Sequence, residues 1–274
     1  MLDALEELAE KDAEKYARFW KTFGAVMKEG PAEDYANRDR IAALLRFAST
    51  HTDRPDQDVS LRDYVARMKE GQDKIYYITA ESFAAADHSP HLELLRKKGV
   101  EVLLLYERVD EWLVSHLTEF DGKPLQSVAK GDLDLSALED QEERRSAEQA
   151  EADYKDLLER MRGVLGERVK DVRVSRRLTD SPACLVLDEH DMSVHLQRVL
   201  KAAGHEVPAG KPVLEVNPGH PLVRRLKAES DQARFSDWTL ILFDQALLAD
   251  GGQLEDPAAF VGRLNDLLLR LSLQ

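Results

Sequence analysis

The sequence predicts a two-part chain of the α/β (α+β) class, and three observations carry that prediction. The apolar runs Ile75–Thr79 and Val100–Tyr106 flank a helical segment, the pattern of a β-α-β unit whose strands are buried on both faces. From Lys130 to Glu159 the composition turns acidic and rich in Ala, Glu and Arg, which places a domain boundary there, with parts at 1–135 and 136–274. The chain closes on two apolar helical patterns broken at Gly251-Gly252.

Composition agrees with this class. A length of 274 residues suits about two domains, and 43% hydrophobic with 33% charged residues describes an ordinary globular protein. The net charge of −14 opposes non-specific nucleic-acid binding and limits self-association of a protein that exposes apolar surface. No apolar run approaches the length that spans a bilayer, and the N-terminus has no secretory pattern, so no membrane is expected and a cytoplasmic location is. Cys184, alone in the run Cys184–Leu187, reads as a buried small hydrophobe and suits a reducing compartment.

Leu2, Leu5 and Leu8 recur at helical spacing without a preceding cap, so the first helix begins in mid-pattern and an upstream part is expected. Tyr16, Phe19, Trp20, Phe23 and Met27 form a wide stripe read as core, stopping at Gly30-Pro31. Asn37 is placed as the cap of a third helix with Ile41, Leu44, Leu45 and Ala48 inward, followed by a polar loop from Ser49 to Asp58. Ser60 and Asp63 form a capping-box signature, and Leu61, Tyr64, Val65 and Met68 continue it until Gly71. Between the two apolar strands Ser89-Pro90 opens a helix with Leu92 and Leu95 inward, and Gly99 closes it. The strands are therefore expected to be parallel with a right-handed crossover. Val109, Leu113 and Leu117 share the next helix face, and Trp112 falls about 80–100° away, either closing the edge of the core or partly exposed. A turn at Asp121–Pro124 leads to a last strand, Leu125–Val128.

The second part opens with a long helix that turns Tyr154, Leu157, Leu158 and Met161 inward and ends near Gly163–Gly166. It then reads strand, strand, helix, strand and three helices, with strands at Arg168–Val174, Ala183–Leu187 and Val213–Val216. Asp188, Glu189 and Asp191 set negative charge at the start of a helix whose stripe is Met192, Leu196, Val199, Leu200 and Ala203, ending at Gly204. That stripe is either core or an adaptable sticky face. On the following long helix Phe235, Trp238, Ile241, Leu242 and Leu248 occupy one side and Leu240, Phe243 and Leu247 another, so one packing face cannot bury them all. Asp256 and Pro257 open the last helix, with Phe260, Leu264, Leu267, Leu268 and Leu271 at helical spacing. Two such hairpins about a twofold axis would bury the surplus in a four-helix bundle; packing within one domain is the alternative.

Catalytic signatures are missing. There is no G-x-G-x-x-G, no P-loop and no G-x-S-x-G elbow. The histidines are scattered, and His88 and His91 are separated by Pro90 with no cysteine near, so no metal site is expected. Carboxylates are too numerous for any pair to stand out as an acid/base couple.

Long blocks in fixed order carry a resemblance across nearly the whole chain. GPAEDYANRDRIAALLRFASTHT, the stretch Val59–Leu117, RVDEWLVSHLTEFDGKPLQSV, LGERVKDVRVSRRLTDSPACLVLDEHDMS and FDQALLADGGQLEDPAAFVGRLNDLLL resemble the ninety-kilodalton heat-shock chaperone family in its bacterial form. The resemblance implies a fragment: the helical connector and small α/β/α sandwich that end the middle domain at 1–135, then a C-terminal dimerisation domain at 136–274. ATP and magnesium would be bound upstream, in the parent protein only, so this chain is expected to hold no cofactor and not to be an enzyme. The same likeness implies a homodimer through Trp238, Leu242, Leu248, Phe260, Leu264, Leu267, Leu268 and Leu271. It implies contact with incompletely folded client proteins through Trp112, Ser115, Met192, Leu196, Val199 and Leu200, and the seventy-kilodalton heat-shock chaperone as a further partner. The chain lacks the acidic M-E-E-V-D tail of eukaryotic cytosolic relatives, so co-chaperones that read that tail are not expected. The other readings are an autonomous α/β enzyme with a pocket at the carboxyl ends of the Ile75 and Val100 strands, and a dimeric scaffold without client surface.

Overall fold

The computed structural model describes residues 1–133, 141–193, 196, 197, 200, 204 and 210–272. They form two compact units, Met1–His88 with Leu95–Val128, and Ser89–Leu94 with the chain from Ala129 onward. Both mix helices with a mixed β-sheet.

The first unit opens with α1 (Leu2–Lys11), α2 (Ala13–Glu33) and α3 (Arg38–Leu44). Asp12 caps α2 by accepting from the Lys15 N–H at 3.0 Å. The expected stop at Gly30-Pro31 is corrected, because Pro31 sits inside the last turn of α2. A proline there forfeits one bond in a helix that ends two residues later. Asp34 then accepts from the Asn37 N–H and opens a single 3₁₀ turn. Asn37 precedes α3 but makes no side-chain cap, and α3 ends at Leu44 because Leu45 turns extended. Ala48 therefore leaves the predicted helix face and becomes a strand residue paired with Leu104. Tyr16 and Trp20 are buried, Phe19 and Met27 are half-buried, and Phe23 is 50% exposed, so the stripe on α2 is wider than the face that packs.

The sheet of this unit is built from β1 (Ala48–Ser49), β2 (Ile75–Thr79), β3 (Leu103–Leu105), β4 (Glu119–Phe120) and β5 (Lys123–Ser127), in the order β1-β3-β2-β5-β4. The central strand β2 runs parallel to both neighbours, and β1 and β4 pair antiparallel at the edges. The β2–β3 pairing is the parallel one expected from the sequence. The capping box is formed as read: Ser60 and Asp63 exchange bonds at the start of α4 (Leu61–Ala66). Between β2 and β3 a short helix, α5 (Phe83–Asp87), is added before the expected one, because Ser82 caps it. Pro90–Leu92 form a 3₁₀ turn that runs into α6 (Glu93–Lys97), and Gly99 adopts φ +64° after it. Asp121 and Gly122 both have positive φ, so the two-residue hairpin turn is already complete at Lys123 and β5 starts there rather than at Leu125.

One buried cation fixes α7 (Arg108–His116) on α2. Lys28 is 1% exposed, and its Nζ lies 2.7 Å from Glu107 Oε2 and 2.8 Å from Asp110 Oδ1. Asp110 also accepts the Glu107 N–H, so the same carboxylate closes the first turn of α7.

In the second unit α8 (Gln141–Leu165) packs Leu157, Met161 and Leu165 into the core, passing through Gly163 and ending before Gly166, whose φ is +54°. The sheet is β6 (Asp171–Val174), β7 (Ala183–Val186) and β8 (Val213–Val216), with β8 central, parallel to β6 and antiparallel to β7. β6 alternates buried and half-buried residues, whereas β7 is buried throughout, as its apolar run requires, and β8 is buried throughout although it carries Glu215. Cys184 is buried and unpaired. Helices α9 (Pro221–Lys227), α10 (Gln232–Ala249) and α11 (Pro257–Ser272) complete the unit. Glu215 on β8 is buried and answered by Arg177, Arg173 and the Ser175 hydroxyl.

Residues 89–94 join this unit through polar contacts. The Glu93 carboxylate accepts N–H bonds from Thr179 (2.6 Å), Asp180 (2.8 Å) and Ser181 (3.0 Å), and His91 Nε2 lies 3.1 Å from Asp250.

Two outcomes are expected. Lys28→Ala leaves Asp110 buried without its counter-charge and lowers the unfolding free energy by about 3 kcal/mol, measured by urea denaturation; a loss under about 1 kcal/mol would show that water replaces the ammonium. Burial pushes the Glu93 carboxyl up, but the Ser181, Asp180 and Thr179 hydrogen bonds outweigh it and hold the group below its usual range. Such a group contributes stability above its unfolded pKa of about 4.3 and loses it as pH falls through the lower folded value. The thermal midpoint therefore drops on acidification below about pH 4, less steeply in Glu93→Gln; parallel curves would contradict the assignment.

Candidate functional site

The terminal hairpin is where apolar surface exceeds what the fold covers, though not where the sequence places all of it. α10 is apolar around its whole circumference. Phe235 is fully buried, Ile241, Leu242 and Phe243 are each 4% exposed, and Ala246 joins them. β7, α8, α9 and α11 all pack against this helix, and side chains of both its apolar sides, Ile241 and Leu242 on one and Phe243 on the other, are buried inside the unit. That corrects two expectations. The two sides of α10 do not need a second copy, and Leu242 has almost no surface to give one, because it sits in the core with Leu185, Leu214 and Phe243. Trp238 and Leu247 are half-buried, and only Leu248 remains 45% exposed.

The surplus sits on α11. Asp256 caps it, its carboxylate accepting the Ala259 N–H at 2.9 Å, and Pro257 occupies the first position as expected. Phe260, Leu264 and Leu267 are half-buried, whereas Val261, Leu268 and Leu269 are 50%, 55% and 63% exposed. Leu271 lies in the last turn of the same helix. The hairpin itself is locked by charge: buried Asp244 on α10 takes Arg263 of α11 at 2.9 Å and Arg168 at 2.8 Å. Trp238 and Leu267 line one shallow groove with Arg225, Arg234, Arg263 and Asp266, and the Arg225 guanidinium lies 5.5 Å from the Trp238 ring.

The client-contact candidates divide between the units. In the first, Trp112 stands 50% exposed on α7, settling between the two sequence alternatives in favour of surface. Its ring packs on His116 with centroids 4.2 Å apart. Ser115 is exposed beside it and donates its hydroxyl to the Trp112 carbonyl at 2.7 Å. In the second unit Met192 is 43% exposed but does not belong to a helix. Ser193 accepts from the Leu196 N–H through its hydroxyl and from the Gln197 N–H through its carbonyl, the pattern of an N-cap. Met192 therefore lies before the Ser193 cap and not on the helix stripe to which the sequence assigns it. Leu196 and Leu200 have helical backbone and are half-buried, while Val199 and Ala203 lie outside the described residues.

Sequence reasoning missed other exposed apolar residues. Phe23 was assigned to the core, and Val26, 64% exposed three residues on, falls off the stripe altogether. Val261 and Leu269 stand outside the spacing used to pick the interface, although both continue an apolar helix. Among the described residues no three His, Cys, Asp or Glu side chains are grouped to hold a metal ion, and no helix is long and apolar enough to cross a membrane.

Exposed apolar side chains gathered on one closing helix, as Val261, Leu268 and Leu269 are here, are a feature that marks protein–protein contact, and Tyr35, Phe23, Val26 and Trp112 add exposed apolar surface in the first unit. The family can be stated plainly: the profile described as Hsp90 protein matches residues 1–274, and the chain belongs to that family. It is 62% identical over 272 residues to the chaperone protein HtpG of Dechloromonas aromatica (strain RCB), covering 99% of this chain and 42% of that protein. It is 64% identical over 275 residues to the HtpG of Aromatoleum aromaticum, again covering 99% of this chain and 42% of the relative. With the HtpG of Paraburkholderia xenovorans (strain LB400) the identity is 63% over 273 residues, 98% of this chain and 43% of the relative. The chain thus spans about two fifths of the length of the curated relatives it matches.

Leu242 and Leu268 should respond differently to substitution. In guanidinium titrations of the chain diluted to its monomer, Leu242→Ala opens a core cavity and lowers unfolding free energy by about 2–4 kcal/mol, whereas Leu268→Ala stays within about 0.5 kcal/mol. Equal losses would mean that α11 is as enclosed as α10.

Proposed function

We propose that this chain is the end of the middle domain (1–135) and the C-terminal dimerisation domain (136–274) of an HSP90-family chaperone. It acts as a homodimer that offers apolar surface to incompletely folded proteins. The observation that carries this reading is the set of exposed apolar side chains on the terminal hairpin, Val261, Leu268 and Leu269 on α11 and Leu248 on α10. Burying apolar area at about 25 cal/mol per Å² favours its removal from water, and a second copy of the same hairpin is self-complementary by symmetry. Four helices about a twofold axis follow from that pairing.

The charged flank of the hairpin fits the same reading. Arg263 of α11 is ion-paired with Asp244, a carboxylate it shares with Arg168, so this guanidinium does not come to a contact along the apolar edge without a counter-charge. Trp112 and Ser115 on α7, and Met192 with Leu196, Val199 and Leu200, are the surfaces proposed for clients. An exposed Met and an exposed Trp are side chains that adapt to many partners. We assign no catalysis or cofactor to this segment; ATP and magnesium would be bound by other parts of the parent protein. The parent would act in the cytoplasm, with the seventy-kilodalton heat-shock chaperone as a further partner.

Light scattering on the chain should give the mass of a dimer, and Leu268→Glu should give a monomer with an unchanged far-ultraviolet spectrum. A monomer for the unsubstituted chain at tens of micromolar would remove the centre of the proposal. Replacing Met192 and Leu196 by serine should weaken suppression of client aggregation while the melting temperature hardly moves; a large loss of stability instead would return them to the core.

A further inference from the structure

The exposed face of α7 carries more than its tryptophan. Arg108, Trp112 and His116 follow one another at intervals of four, so a guanidinium, an indole and an imidazole line one helix face. Arg108 is exposed and makes no ion pair among the described residues. Hydrogen bonding holds the imidazole, and the indole packs on it with ring centroids 4.2 Å apart. His116 Nδ1 lies 2.9 Å from the Trp112 carbonyl, which only accepts, so that nitrogen carries the proton and donates. The Ser115 hydroxyl donates to the same carbonyl and lies 2.9 Å from the same nitrogen. An aromatic platform held this way loses little side-chain freedom when something binds it.

The acidic groups of the helix are mostly committed elsewhere. Asp110 is buried on Lys28, and Glu107 shares that ammonium. Glu111, half-buried, is the acidic neighbour of the stripe on its own helix. Arg108 is thus a solvated cation one turn from an exposed indole, in a chain whose net charge of −14 would otherwise repel acidic partners.

We propose that Arg108, with the Trp112–His116 ring pair, selects client segments in which an apolar or aromatic residue is flanked by a carboxylate. The apolar side chain covers the indole, and the carboxylate meets the guanidinium. This deepens the client-binding reading of Trp112 and rests on it. Charge complementarity names the occupant: an acidic-flanked apolar peptide rather than a basic one.

The test uses the full chain and three fluorescein-labelled peptides of equal length with the same central Leu-Phe core, flanked by Glu, Gln or Lys, followed by anisotropy at low and high salt. The Glu peptide should bind about threefold to fivefold more tightly than the Gln peptide at low salt, the Lys peptide more weakly than both, and the spread should shrink as salt screens it. R108Q should bring the Glu-to-Gln ratio close to one, and R108K should retain most of it; a residue that only supports the helix would change all three peptides alike. W112A should weaken every peptide. If peptides bind and W112A weakens them, but R108Q leaves the ratio intact, the charge selection is overturned while the client surface stands. If W112A changes nothing, the client surface at α7 is overturned and this inference with it. Unchanged circular dichroism for each variant secures the comparison.

Discussion

A helix that is apolar around its whole circumference must be enclosed on every side, and α10 imposes that constraint on the second unit. β7 and α8 supply one wall, α9 touches another, and α11 has to be folded back to supply the rest. Gly251 makes the return possible: its φ of +77° costs a glycine nothing in strain and would strain an L side chain. Gly252 is constrained differently, because a Cβ there would meet the Leu247 side chain at 2.3 Å. Once α11 is recruited as a wall it has an inner side and an outer side, and its own sequence is apolar on both. The exposed row of Val261, Leu268 and Leu269 is therefore a consequence of enclosing α10, displaced by one helix from where the surplus first shows in the sequence.

Charges taken out of water hold the elements that carry these surfaces. Lys28 fastens the start of α7, and with it the helix on which Trp112 stands. Asp244 joins α10 to α11 through Arg263 and reaches Arg168 beside the sheet. Glu215 gathers Arg173, Arg177 and Ser175 on one side of β8. Buried pairs of this kind add little net stability compared with apolar packing, but removing one partner is costly, so an arrangement of the helices that separates them is disfavoured. That is the property required of a scaffold that leaves large apolar side chains in water: stability comes from the cores, and orientation comes from ions that tolerate no alternative partner.

The sequence made the elements legible and left the walls between them obscure. The parallel pair β2–β3, the buried apolar strand β7, the Ser60–Asp63 box and the Asp256-Pro257 helix start all follow from local chemistry, and local chemistry was readable. Errors arose where a tertiary partner decides. Ala48 continues a helical stripe on paper but is claimed by β3, and Pro31 looks like a stop but falls close enough to the end of α2 for the helix to absorb it. Phe23 and Leu242 show the same limit at the candidate site. Periodicity says that a side chain belongs to an apolar stripe; it does not say which part of a wide stripe the neighbours reach. Lys28 was invisible for the opposite reason, since a lysine on an amphipathic helix normally reads as solvated, and only two carboxylates brought by α7 from far along the chain explain its burial.

The distribution of charge then bears on how such a chain keeps exposed hydrophobes without aggregating. Its net charge of −14 works at long range, opposing the approach of like copies, while the attraction of apolar rows acts only at contact. Under the dimer proposed above, two copies would associate only where the short-range gain is concentrated, and α11 carries the exposed row that would supply it. A lone indole on α7 offers too little area for that. In the proposed scheme it would stay open to a segment whose own chemistry matches the cation beside it, so one electrostatic background would permit a self-contact along α11 and leave the second surface to other chains.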